Sequence, residues 1–327
     1  MQSRLARKLG YYLSKWKAPE QSAQIYPSPP NLTAQNPFWH YQCSFDALKT
    51  MSKYTAVGVV STDGYLTNYL GVKIDPLFFP TILDGRANTI ETMPQPNNWH
   101  ADIAEFAAAL RAVDISGSTF TVLELGCGWG CWLNNTGAAA RRAGKKVKLL
   151  GIEGDAGHVE FANQSMKTNG YLSNEYSIMH GVAAATKGRA LFPKQSNAGV
   201  HWGLEPVFGA SDKQIAKALT EGTHDNLEMI ALSDVIVENG KLDLLHIDIQ
   251  GGEAELVRDS IETCNSSVRY IVIGTHSRFI EGTLEKLMFD NDWELEVDRP
   301  AISSLENGVQ TLRVDGVQGW RNRRLKK

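Results

Sequence analysis

The chain has 327 residues, 43% hydrophobic and 21% charged, with a formal net charge of −3. That is enough chain for one large domain and a smaller unit, and it excludes a disordered, collagen-like or disulfide-stapled protein. Ten of the 33 basic residues sit in 1–17 and 321–327, which contain no acid, so 23 remain in the body against all 36 acids.

An acidic body with two basic ends is not the pattern of a nucleic-acid-binding domain. It leaves open a contact of the ends with an anionic membrane surface. Residues 1–17, with Arg4, Arg7, Lys8, Lys15 and Lys17, predict a short helix. They lack the apolar run of a secretory signal, and only their basic, acid-free composition is like a transit peptide. No stretch reaches the roughly 20 apolar residues of a membrane helix. Cys43, Cys127, Cys131 and Cys264 lack zinc or disulfide spacing and read as reduced thiols of a cytoplasmic protein.

Residues 18–40, with Pro19, Pro27, Pro29, Pro30 and Pro37, read as a linker. In 41–98 a strand is expected at 57–60 and a turn-bounded apolar stretch at 65–72, with prolines breaking any long helix. This gives a boundary: 1–98 as an accessory or lid region, 99–327 as the main domain with a basic tail. From there strands and helices alternate. A helix is expected over 102–113, a strand over 120–125, then a helix to 143. Strands follow at 148–153, 177–183, 242–249 and 270–274, with helices at 157–168, 253–261 and 280–290. Segments 293–297 and 310–314 are expected to close the chain as an antiparallel hairpin. The fold class is therefore α/β: a doubly wound, Rossmann-like, seven-stranded, mainly parallel sheet with an antiparallel C-terminal hairpin. Ligands are expected outside the carboxyl ends of its strands.

Val122-Leu-Glu-Leu-Gly126-Cys-Gly128-Trp-Gly130 runs a hydrophobic strand into alternate glycines and then a helix. Glycine permits a tight turn and close approach of backbone to a ligand. The helix start behind it offers N–H groups for a carboxylate or phosphate. A purely structural turn is the rival reading. The third glycine comes one residue too early for a dinucleotide fingerprint, and no Gly-Lys-Ser/Thr follows. The next strand ends in Glu153-Gly154-Asp155. Glu153 can accept hydrogen bonds from ribose hydroxyls, whereas Asp155 is better placed to cap the next helix.

Glu124-x-Gly126-x-Gly128-x-Gly130 followed by Glu153 resembles the S-adenosylmethionine site of class I methyltransferases. Three later segments resemble the FkbM type: Gly181-Val-Ala-Ala, Asp243-Leu-Leu-His-Ile-Asp248-Ile-Gln-Gly-Gly-Glu253, and Ile271-Val-Ile-Gly-Thr-His276-Ser. The resemblance spans about residues 99–320. It implies that Glu124, Gly126, Gly128 and Gly130 lie at the methionine part, Glu153 at the ribose, and Gly154, Val182 and Ala183 at the adenine. Sheet core is the rival for Val182 and Ala183. Asp248 would face the reacting end.

The implied reaction is O-methylation of a hydroxyl, most readily on a sugar or glycan. A hydroxyl needs help losing its proton. His276, at the end of the fifth strand, is the expected base, with an unperturbed pKa of about 6.5; a structural histidine is its rival. Asp248 and Glu253 raise the question of a magnesium ion. Trp99, His100 and Asp102 are expected to fold over the cofactor, and His201 and Trp202 to offer a stacking face or simply to pack. Two other readings remain: a nucleotide-linked oxidoreductase, and a non-catalytic binding or scaffold protein.

Overall fold

The computed structural model describes residues 41–95 and 97–325. The expected N-terminal helix and the 18–40 linker lie outside the described residues. In chain order the elements before the glycine loop are β1 (Gln42–Cys43), α1 (Ala47–Lys53), β2 (Leu66–Thr67), β3 (Lys73–Ile74), a 3-10 turn (Pro76–Phe78), β4 (Thr89–Ile90), α2 (Ile103–Ile115) and β5 (Thr119–Leu125). After the loop come α3 (Cys131–Arg142), β6 (Lys146–Glu153), α4 (Ala156–Thr168), β7 (Tyr176–His180), β8 (Val182–Ala184), β9 (Gly188–Pro193), α5 (Asp212–Thr220), β10 (His224–Ala231) and α6 (Leu232–Asn239). The chain ends with β11 (Leu244–Ile247), α7 (Glu253–Asp259), α8 (Ile261–Ser267), β12 (Tyr270–Thr275), α9 (Arg278–Asp290), β13 (Trp293–Arg299), β14 (Ile302–Glu306), β15 (Val309–Val314) and β16 (Gly316–Asn322).

An eight-stranded sheet forms the centre, in the order β1-β13-β16-β12-β11-β5-β6-β7. Strands β12, β11, β5, β6 and β7 run parallel, and β16 lies antiparallel between β12 and β13. Six of the seven expected strands lie in it; the seventh place is taken by β16 instead of 310–314, and the eighth strand is the short β1, which pairs antiparallel on the β13 edge. The strand order reverses between β5 and β11, which places a crevice at their carboxyl ends.

Both faces of the sheet are covered, so its strands read as near-continuous apolar runs. Phe120 and Val122 of β5 and Val272 of β12 face the core built by α2 and α3. Leu123, Leu125, Ile271 and Ile273 face the opposite core with α6, α7 and α9. Helix α2 starts at Asp102, whose carboxylate accepts the N–H groups of Ala104 and Glu105 at 3.0 and 3.1 Å. The same carboxylate pairs with Arg299 at the end of β13, both side chains being buried.

Three local expectations are corrected. Residues 57–60 form no strand: Val57 is 99% exposed in a turn, with no neighbour to pair its backbone. The expected strand over 177–183 breaks at Gly181 into β7, which pairs with β6, and β8, which joins β10 and β9 in a separate sheet. The closing pair is β13 with β16, not 293–297 with 310–314; β15 folds back on β14 instead. The alternating 310–314 run fits a two-stranded excursion as well as a sheet strand, and periodicity cannot tell them apart.

Asp102→Ala removes both a helix cap and the carboxylate beside a buried guanidinium. Urea unfolding should show a loss of about 3–5 kcal/mol. A loss under about 1 kcal/mol would show that neither contact matters to stability.

Candidate functional site

The glycine loop turns in the left-handed region at Gly126, Gly128 and Gly130, with φ of 70°, 53° and 76°. At Gly126 the need for glycine is steric as well. A Cβ there would lie 2.1 Å from the backbone oxygen of Asp248. At Gly128 it would meet only the ring of Trp202, at 2.9 Å. Gly130 begins α3 without a side-chain cap of its own. Glu124 serves instead, accepting the N–H groups of Trp132 and Leu133 at 3.2 and 2.9 Å. The helix start that looked open to a ligand anion is thus partly taken by the chain's own carboxylate. Burial drives the Glu124 pKa upward, and these two N–H groups work against it.

Glu153 closes the loop from the end of β6. One carboxylate oxygen accepts Gly128 N–H and the other Asp155 N–H, both at 2.8 Å. Each oxygen keeps acceptor capacity, which suits a pair of ribose hydroxyls. Asp155 caps α4 through His158 N–H, as expected. Above the loop, Trp202 is sandwiched between Phe79 and His158, with centroids 4.1 and 4.0 Å apart. Trp99 and His100 extend this aromatic surface toward Trp129 and Trp132. A turn with glycine at alternate positions, covered at Gly128 by the Trp202 ring and flanked by the Glu153 carboxylate, fits S-adenosylmethionine. Gly126, Gly128, Gly130 and Glu153 would hold it.

The adenine-side residues are more packed than open. Val182 is buried with Ala190 and Phe192, whereas Ala183 is half-buried. The Phe192 ring lies over Gly154, where a Cβ would come within 2.4 Å of it. Asp102 is a buried cap rather than part of the cofactor cover. His246 is buried in β11, where it meets Glu105 Oε1 at 3.2 Å and stacks on Trp132.

At the carboxyl ends of β11 and β12, Asp248, Glu253 and His276 come together. His276 Nδ1 is 2.8 Å from Glu253 Oε1, and Nε2 is 3.4 Å from Asp248 Oδ1. Glu253, fully buried at the start of α7, also accepts Gly251 N–H at 2.9 Å. Burial works to lower the His276 pKa, but the hydrogen bond to Glu253 and the two carboxylate charges outweigh it and raise the pKa to about 9. Burial would raise Glu253, and the His276 and Gly251 hydrogen bonds overcome it and lower it. Asp248 is raised, chiefly by burial at the crevice floor, with the His276 charge opposing. The imidazole is therefore held protonated at neutral pH, unlike the free-histidine value assumed from sequence.

Four residues here were not singled out from sequence: Phe79, Glu105, His158 and Gln250. Gln250 adopts φ 60°, unusual for a residue with a Cβ, and donates to Asp248 Oδ1 at 3.0 Å. The Gln250-Gly251-Gly252 turn was the available signal. The others meet the site through tertiary packing and carry no local pattern.

Gly126→Ala should cost about 2–4 kcal/mol, because it adds both a left-handed penalty and a clash with backbone. Gly128→Ala should cost nearer 1 kcal/mol yet weaken S-adenosylmethionine binding. Thermal melts with calorimetry separate the two, and equal stability losses would reject the contrast. The raised His276 pKa stabilises the fold fully below about pH 6.5 and progressively less as pH rises through about 9. The stability gap between wild type and His276→Gln should shrink over that window by roughly 1–3 kcal/mol. A gap constant from pH 6 to 10 would contradict it.

No family model matches the chain. A protein of Jannaschia sp. (strain CCS1) described as "Putative methyltransferase" is 43% identical over 273 residues, covering 83% of this chain and 97% of that protein. Among solved structures, the METTL16 MTase domain overlays with a TM-score of 0.37 and 11% identity, covering 66% of this chain and 65% of that one. Precorrin-6y C5,15-methyltransferase from Geobacter metallireducens GS-15 overlays with a TM-score of 0.36 and 8% identity, covering 66% and 86%. The 43% identity over most of both chains shows the family, and the strand order with its glycine loop is that of a class I enzyme. On those grounds the chain belongs to the methyltransferase family and is a class I enzyme of the S-adenosylmethionine-dependent kind.

Proposed function

We propose that this methyltransferase is of the FkbM type and O-methylates a hydroxyl, on a sugar or glycan. The observation that carries the reading is the His276 imidazole, backed by buried Glu253 and facing Asp248 beside the glycine loop. When bound, S-adenosylmethionine supplies an electrophilic methyl group. The chain's own part is to orient the acceptor oxygen and manage its proton. Glu253 holds Nδ1 and so fixes the ring orientation, leaving Nε2 toward Asp248 and the crevice. Nε2 is the base in this reading. Because the two acids retain its proton, turnover should climb with pH as that proton leaves near 9.

The basic ends divide under this proposal. Arg321 pairs with Glu294 and Glu296, Arg323 with Glu294, and Arg324 with Asp292. An anionic membrane surface would therefore be met by residues 1–17 rather than by this tail. No helix among the described residues is long and apolar enough to cross a membrane.

The test is isotope-labelled S-adenosylmethionine incubated with the full chain and fractionated glycan and lipid extracts. Label is expected in a base-stable ether on a sugar. His276→Ala should keep cofactor affinity and lose turnover by about 100-fold or more. Unchanged turnover would reject the base. Cofactor binding without transfer to any acceptor would favour a non-catalytic binding protein.

A further inference from the structure

We propose that His158 is a positioning residue that latches residues 195–203 over the glycine loop and ties this strap to Glu153. Its buried ring is engaged on three sides. Nε2 lies 2.5 Å from the Ala198 backbone oxygen and, facing an acceptor, donates to it. Nδ1 lies 3.8 Å from Glu153 Oε1. The ring face stacks on Trp202, with centroids 4.0 Å apart and planes 11° from parallel. Burial works to lower the His158 pKa, but the Glu153 carboxylate outweighs it and raises it, which suits a ring set between a carboxylate and a carbonyl.

A second observation is independent of this geometry. Among the described residues, every hydrogen bond from 195–203 to the rest of the chain runs to His158, with Ala198 and Gln195 as the strap's partners. The others are internal, such as Gln195 with both backbone groups of His201, and Trp202 Nε1 donating to the Gly199 oxygen. The rest of the hold is packing. Trp202 stacks on Phe79, and Ala198 rests on Gly157, where a Cβ would come within 2.4 Å of the Ala198 Cβ. A segment tethered by one side chain opens at lower cost than the sheet beneath it. The strap ends with the Trp202 ring on Gly128, 2.9 Å from the position of an added Cβ, so it fills the space that the turn would leave to a ligand. Cofactor entry thus requires the strap to lift. Lifting it breaks the Ala198 contact of the same imidazole that faces the ribose-side carboxylate. The inference rests on the family's cofactor and is independent of the acceptor.

The test is stopped-flow tryptophan fluorescence of full-length protein mixed with S-adenosylhomocysteine, with Trp202→Phe assigning the signal. His158→Phe keeps a stacked ring and loses both nitrogens. It should raise the association and dissociation rate constants by about fivefold each, the effect of one hydrogen bond. Gly157→Ala should also speed association, because its methyl group displaces Ala198 while alanine suits α4 better than glycine does. A merely damaged pocket speeds dissociation alone; that result, or unchanged association in either variant, overturns the latch. A signal unaltered in Trp202→Phe overturns the lifting of the strap. Hydrogen exchange of the ligand-free protein gives a second reading. Amides of 195–203 should exchange about fivefold faster in His158→Phe, with those of β5 and β6 unchanged. Faster exchange across the sheet would show lost packing and overturn the positioning role. If the wild type binds no S-adenosylhomocysteine, the cofactor reading fails, while the exchange still decides the latch.

Discussion

The absence of a Cβ at Gly126 governs the distance between the two halves of the sheet where the chemistry is placed. The Asp248 carbonyl occupies the space a side chain would need. That contact joins the carboxyl ends of β5 and β11 at the point where strand order reverses. It sets Asp248 against the glycine loop. His276, at the end of the neighbouring β12, is thereby brought to Asp248, and Glu253 closes in from behind at the head of α7. A single missing methyl group thus couples the cofactor loop to the proposed acceptor side.

The same loop shows how a short motif divides its labour. Its acidic residue looks like a ligand contact when read as text. In the fold, Glu124 spends both oxygens on the first turn of α3, because Gly130 has no side chain to cap that helix. Glu153 does the same for the loop itself, its two oxygens taking Gly128 N–H and Asp155 N–H. Each acid thus has one backbone donor per oxygen, and position rather than hydrogen-bond count separates them. Glu124 faces the first turn of α3, whereas Glu153 stands at the carboxyl end of β6 beside the loop. Two acids on adjacent strands therefore preorganise the loop and the helix behind it.

The parallel strands were legible because both their faces are buried, so β5, β6, β11 and β12 stand out as apolar runs ending in glycine or acid. Asp155 as a helix cap was legible for the same local reason. Illegible parts depend on contacts distant in sequence. Gly181 breaks a continuous-looking strand because a Cβ there would meet the backbone oxygen of Glu228, 47 positions away in the numbering. The side sheet of β8, β9 and β10, the β14–β15 excursion and the Phe79–Trp202–His158 stack all arise this way. The His276 pKa belongs to this class too. A histidine in text carries its solution value, and only the folded position of two acids shows that it holds its proton.

Charge follows the same logic. Counted along the chain, the C-terminal arginines looked like a free basic tail. Folded, Arg321 bridges Glu294 and Glu296 of β13 while Arg111 of α2 takes the same Glu296 from the other side. The last strand is thus tied to the sheet's edge by ion pairs that share a buried acid, and shared, partly buried pairs are screened less by salt than isolated surface ones. Asp292, Glu294 and Glu296 are in this sense the counterpart of the chain's own basic tail. At the crevice, Glu105 and Asp315 bear on Asp248, which faces two histidines. Carboxylates gathered at a crevice floor favour ligands that donate hydrogen bonds or arrive with a cation, and disfavour phosphate-rich ones by plain repulsion.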